Sequence, residues 1–149
     1  MTTTIHPPVL DPTALEAFTD HVAGQATAAI NGALVVLGDK LGLWKALAGA
    51  GPLTSTALAR RAGLDERYVR EWAAAQSANG YVVHDAGTDT FELTTEAAAV
   101  LADEDSPMLF VGAFQFLPAM YAMLPALYDA FRTGEGIAWH DRDPAMFDA

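Results

Sequence analysis

Four side chains near the end of the chain are the best candidates for chemistry with a ligand. Trp139, His140, Met146 and Phe147 place two aromatic rings, an imidazole and a thioether within nine residues of a short polar segment. Such a set builds the wall of a pocket for a small, flat organic molecule, where aromatics supply contact area and one polar group orients the ligand. The same residues also fit a plain linker whose aromatics dock on the domain. Other arrangements are poorer. His6, His21, His84 and His140 are scattered and never spaced four apart, so no zinc-type ligand set is visible. The run Asp103-Glu104-Asp105 reads as a solvated loop before a helix start rather than a cation site. No Gly-x-Ser-x-Gly elbow and no Gly-rich phosphate loop occur, and there is no cysteine to serve as nucleophile, zinc ligand or disulfide partner. Neither catalytic nor metal residues are assigned.

These candidates sit at the end of a 149-residue chain that is 52% hydrophobic and 18% charged, enough apolar material for one folded domain. Eight Lys and Arg against nineteen Asp and Glu leave a net charge of −11, which repels nucleic-acid phosphate and anionic lipid alike. The first residues lack the order of a signal peptide, so a cytoplasmic location is expected.

Five stretches follow from the patterning. Residues 1–10 form an extended lead-in. Residues 11–50 carry helices, opened by Asp11 at an N-cap and Pro12 at the first helical position. Leu15, Phe18, Val22, Ala26 and Ala29 make one apolar stripe, and Leu34, Leu37, Leu41 and Trp44 a second on a following helix. Gly32, Gly38 and Gly42 each weaken that second helix by about 1 kcal/mol relative to Ala, so tertiary packing has to hold it.

Residues 51–101 read as a winged helix-turn-helix. Thr54 or Ser55 caps a short helix that stops at Gly63. Asp65 caps a second that buries Tyr68, Val69, Trp72 and Ala73 and ends at Asn79-Gly80. Strand-like runs 81–84 and 91–94 flank a Gly-containing turn, and Thr95 and Glu96 open another helix ending near Leu101. In 102–133, Ser106-Pro107 reads as a helix start, and the run from Met108 to Phe131 is almost wholly apolar. Pro118 and Pro125 break it, which favours buried helices or an oligomer interface over a membrane span. Residues 134–149 form a loop, leading to a catalytic core these residues lack, whose abrupt end reads as that of a fragment or of a protein that has lost what followed.

A winged helix raises DNA binding, and the charges argue against it. The first turn of the second helix is Asp65-Glu66-Arg67, and both Arg67 and Arg70 have a carboxylate four residues away, Glu71 and Glu66. The wing carries Asp85 and Asp89 and no cation, leaving Arg60-Arg61 as the one basic doublet. A regulator binding DNA or a metabolite stays as the alternative, and a ligand-binding remnant without chemistry as a third.

The residues Leu37 to Leu47, Gly51-Pro52-Leu53-Thr54, Asp65 to Trp72 and Ala102 to Pro107 resemble the N-terminal winged-helix region of bacterial S-adenosylmethionine-dependent methyltransferases. Trp139-His140-x-x-Asp143-Pro144-x-Met146-Phe147 is similar to the segment preceding the catalytic core in small-molecule O-methyltransferases. The resemblance implies a mainly α fold with a small β-hairpin and a cytoplasmic homodimerisation module that also roofs the acceptor pocket. His140 and Met146 would line that pocket, with Trp139 and Phe147 as neighbours. The dimer interface is expected at Leu34, Leu37, Leu41, Phe114 and Met120. The family's acidic, Gly-rich cofactor turn is missing from these residues. S-adenosylmethionine and a small-molecule methyl acceptor are therefore expected for the full-length family and no cofactor for this chain. Neither nucleic acid nor membrane is expected as a partner.

Overall fold

Asp11 starts the first helix as its residue type dictates: its Oδ1 accepts from the backbone N–H of Thr13 at 2.9 Å and of Ala14 at 3.3 Å. The computed structural model describes residues 9–138. Helix α1 then runs without interruption through Pro12–Lys40. This corrects the expectation that a second helix carries Leu34, Leu37 and Leu41. Gly32 and Gly38 lie inside α1, while Gly42, at φ +69°, supplies the left-handed break before α2 (Leu43–Leu47). The expected stripe from Leu34 to Trp44 is accordingly divided. Trp44 belongs to α2 and is buried, whereas Leu37 and Leu41 of the α1 end stay 45% and 40% exposed.

The chain divides into two units, one running through Ile30 and the other starting at Asn31. In the leading unit the described residues are all exposed, including Leu15, Phe18 and Val22. The second unit contains the core. There α3 (Ser55–Ala62) is capped by Thr54, whose Oγ1 accepts from Ala57 N, and ends at Gly63 with φ +70°. Helix α4 (Glu66–Ala78) is capped by Asp65 and ends at Asn79, with Gly80 left-handed. Strands β1 (Val83–Asp85) and β2 (Thr90–Glu92) pair antiparallel with His84 opposite Phe91, and Leu53 adds a bridge to Phe91. Each lies closer to the turn than expected and takes in one residue, Asp85 or Thr90, that was read as turn; Asp85 holds the shortened turn, its Oδ1 accepting from Gly87 N at 2.8 Å and its Oδ2 from the Thr88 hydroxyl at 2.9 Å. Thr94 caps α5 (Thr95–Leu101).

The core gathers Val35, Leu43, Trp44, Leu47, Leu58, Val69, Trp72, Phe91 and Leu101. Each fully buried aliphatic or aromatic side chain of this kind contributes about 1.5–3 kcal/mol. Tyr68, expected among the buried residues, is 74% exposed: it lies one helical step from Val69 and turns away from the core.

The apolar run after residue 107 forms two short helices, α6 (Gly112–Ala122) with Pro118 inside it and α7 (Leu124–Thr133) with Pro125 in its first turn. Ser106-Pro107 does not open a helix, contrary to expectation. Ser106 Oγ accepts from Met108 N in a local turn, and α6 begins only at Gly112. Among the described residues, α1 is the one helix long and apolar enough to cross a membrane, by length and composition alone. Mainly helical, with one two-stranded antiparallel sheet, the second unit has the architecture of a winged helix.

Candidate functional site

The end of α1, the start of α2 and the first two turns of α4 enclose an apolar groove of about 350 Å³. Leu37, Leu41 and Leu43 form one side, and Leu64, Tyr68, Val69 and Trp72 the other, with Asp65 at the rim. The local sequence positions each wall. The Gly42 turn redirects the chain so that Leu43 faces inward. The Asp65 cap, accepting from Arg67 N at 3.0 Å, fixes where α4 begins and so which residues face α1.

The floor is held by two indoles. Trp72 Nε1 donates to Leu34 O at 2.9 Å and Trp44 Nε1 to Val35 O at 3.1 Å, and the two rings meet edge to face at 4.7 Å. Two polar ties stand nearby in the same unit. Gln115 Nε2 donates to Asp39 Oδ2 at 2.7 Å, and Lys45 Nζ lies 2.6 Å from Glu104 Oε1. The hydrogen bond and charge of each partner hold Lys45 above and Glu104 below their ordinary values.

On the would-be reading helix Arg70, Glu66 and Glu71 are engaged within the protein. Glu66 Oε1 accepts from the Ser55 hydroxyl at 2.6 Å and lies 3.6 Å from Arg70 Nη1. The expected Arg67–Glu71 pair does not form; Glu71 sits 3.8 Å from Arg70 Nε instead. On the wing, His84 Nε2 lies 3.0 Å from Asp89 Oδ1 and its ring stacks on Phe91 at 4.5 Å, so this imidazole serves the turn. Among the described residues no group of three or more His, Asp or Glu is placed to hold a metal ion.

Of the residues expected at a dimer interface, Leu37, Leu41 and Met120 are exposed, whereas Leu34 and Phe114 are half-buried and pack on the core. Leu37 and Leu41 come together in the groove. Leu43 and Leu64 went unassigned in the sequence, and Tyr68, Val69 and Trp72 were read as core residues rather than as a groove wall. Trp139, His140, Met146 and Phe147 lie outside the described residues.

A winged helix of this design matches a known family. The family profile for the Rv2258c-like winged HTH domain matches residues 28–103, just over half of the chain. The chain belongs to this winged-helix family. Members of several solved methyltransferase structures share its fold. The mitomycin 7-O-methyltransferase MmcR is 25% identical with a TM-score of 0.67, over 85% of this chain and 37% of that one. A riboflavin-derivative dimethyltransferase, RosA of Streptomyces davawensis, is 23% identical with a TM-score of 0.59, over 84% and 35% of the two chains. Human N-acetylserotonin methyltransferase, solved with SAM, is 19% identical with a TM-score of 0.63, over 89% and 38%. The chain thus spans little more than a third of each of these proteins. No curated protein matches it in sequence.

Proposed function

We propose that this winged-helix chain is the dimerisation and acceptor-pocket-roofing module of an S-adenosylmethionine-dependent small-molecule methyltransferase. The observation that carries this reading is the apolar surface left uncovered in the second unit, where Leu37, Leu41, Met120, Tyr128 and Phe131 are each at least 40% exposed. Apolar surface of this extent marks an interaction site. The fold shared with methyltransferases supports the assignment. In this reading methyl transfer and cofactor binding reside in a Rossmann-like core outside these residues. The resemblance of the segment holding His140 and Met146, with Trp139 and Phe147 as neighbours, to the stretch before that core supports an acceptor-lining role for these residues.

The test is Leu41→Asp. Light scattering should read a homodimer for the parent chain and a monomer or insoluble protein for the variant. An unchanged dimer would remove Leu41 from the interface, and a monomeric parent would remove the dimer.

The charge arrangement favours this reading over a DNA-binding regulator. Arg70 is flanked by two carboxylates, and the wing presents Asp85, Asp89 and Glu92.

A further inference from the structure

The groove bounded by α1, α2 and α4 has room for a small molecule and a lining that discriminates by charge. Its volume of about 350 Å³ falls in the range of about 300–1,000 Å³ typical of small-molecule sites. All its walls belong to the unit that starts at Asn31. Trp72 is fixed there by the bond from its Nε1 to Leu34 O, while Leu37, Leu41 and Tyr68 stay exposed around the opening.

An anion finds little to hold it. Trp72 has committed its one N–H to Leu34 O, so of the lining side chains only the Tyr68 hydroxyl is left to donate. Lys40 and Arg67 adjoin Leu41 and Tyr68 in sequence, yet neither lines the groove. A cation meets two kinds of partner. The Asp65 carboxylate stands at the rim, where Oδ1 accepts from Arg67 N and Oδ2 is left for a ligand. Tyr68 follows on the same face of α4, about 4.5 Å along at 1.5 Å per residue. Together with Trp72 it supplies the π systems that attract an organic cation. The helix ends do not set the sign: α4 brings its positive N-terminus and α1 its negative C-terminus, and the two offset each other. The full charge of Asp65 decides it.

We propose that this groove binds a small hydrophobic organic cation, an aromatic or alkyl ammonium or phosphonium. Its apolar body lies between Leu37, Leu41 and Trp72, and its positive centre sits at Tyr68 within reach of Asp65. The site is complete within one chain and does not rest on the dimer or acceptor-roof readings above. A ligand here covers Leu37 and Leu41, so it competes with any contact that a second copy makes through them.

The test uses two ions of one shape and opposite charge, tetraphenylphosphonium and tetraphenylborate. Each is titrated into the full chain by calorimetry, with methyl NMR of the leucines to place it and light scattering on the same samples to follow the oligomer separately. The phosphonium should shift the Leu37 and Leu41 methyls and bind more tightly than the borate. Asp65→Asn keeps the cap and removes the charge; it should weaken the phosphonium about three- to fivefold and leave the borate no weaker. Tyr68→Leu keeps apolar area and removes the ring, and should weaken the phosphonium by a similar factor. Asp105→Asn makes the same change in net charge at an exposed position away from the groove and should leave the affinity unchanged. Borate binding as tight as phosphonium binding, an affinity unmoved by Asp65→Asn, or an equal loss in Asp105→Asn overturns the cation site. So does an absence of phosphonium binding, or shifts confined to other leucines. None of these results alters the oligomeric state read by light scattering, so the dimer reading stands or falls on its own measurement.

Discussion

Gly38 of α1 lies directly beneath Trp72 of α4: a Cβ at that position would stand 2.5 Å from Trp72 Cζ2 and 2.8 Å from Trp44 Nε1. The absence of a side chain there is what allows both indoles to reach the carbonyls of Leu34 and Val35. Gly38→Ala therefore forces rigid rings and backbone apart. The overpacking costs about 1–3 kcal/mol, against a helix-propensity gain of about 1 kcal/mol, so a net loss of stability is expected in urea melts. At Gly32 the clash is with Leu117 Cδ1, the end of a flexible side chain, so Gly32→Ala should be close to neutral in the same melts. Equal losses at the two positions would contradict this distinction.

The Asp65 cap has a smaller and more local effect. Asp65→Ala removes the acceptor for Arg67 N and should cost about 1 kcal/mol. Asp65→Asn, which keeps the cap, should retain nearly all the stability in thermal melts.

Asn31 and Gln76 form a buried amide pair, with Gln76 Nε2 donating to Asn31 Oδ1 at 3.1 Å and Gln76 Oε1 left without a partner. Gln76→Leu strands the Asn31 acceptor in the core at a cost of about 1–3 kcal/mol. Replacing both residues by Leu removes the stranded group, so the double variant should recover most of that loss. A double-mutant cycle by chemical denaturation measures the coupling, and strictly additive losses would contradict it.

Acid and base should act at different places. The Thr88 hydroxyl first, then the Gly87 N–H, hold the Asp85 carboxyl below its ordinary value. Lys45 does the same for Glu104. Both carboxylates thus add stability at neutral pH that is lost as pH falls through their lowered folded values. Lys45, raised by Glu104, adds stability that is complete below its ordinary value and lost as pH rises through the folded one. Thr88→Val should return the Asp85 titration, followed by NMR, toward that of a free carboxylate; an unmoved titration would remove Thr88 as its cause.

The charges on the reading helix set a last expectation. A salt titration against random duplex DNA should show no sub-micromolar binding near physiological salt. Tight binding there would favour the regulator reading over the methyltransferase module.

The residues alone determined the local punctuation of this protein. Asp11, Thr54 and Asp65 cap helices, and Gly63 and Gly80 end them, because each signal acts on backbone groups within three or four residues. Tertiary structure decided which faces are covered. Nothing local joins Pro12–Lys40 into one helix across Gly32 and Gly38; those glycines are accommodated because Leu117 and two indoles pack on them. Tyr68 and Val69 are adjacent and both apolar enough for a core, yet only the packing of α4, chiefly against α3, settles that Val69 is inside. The groove at Leu37 and Leu41 was half legible for the same reason: its second wall comes from residues more than twenty positions away, and sequence spacing is blind to what the fold brings alongside.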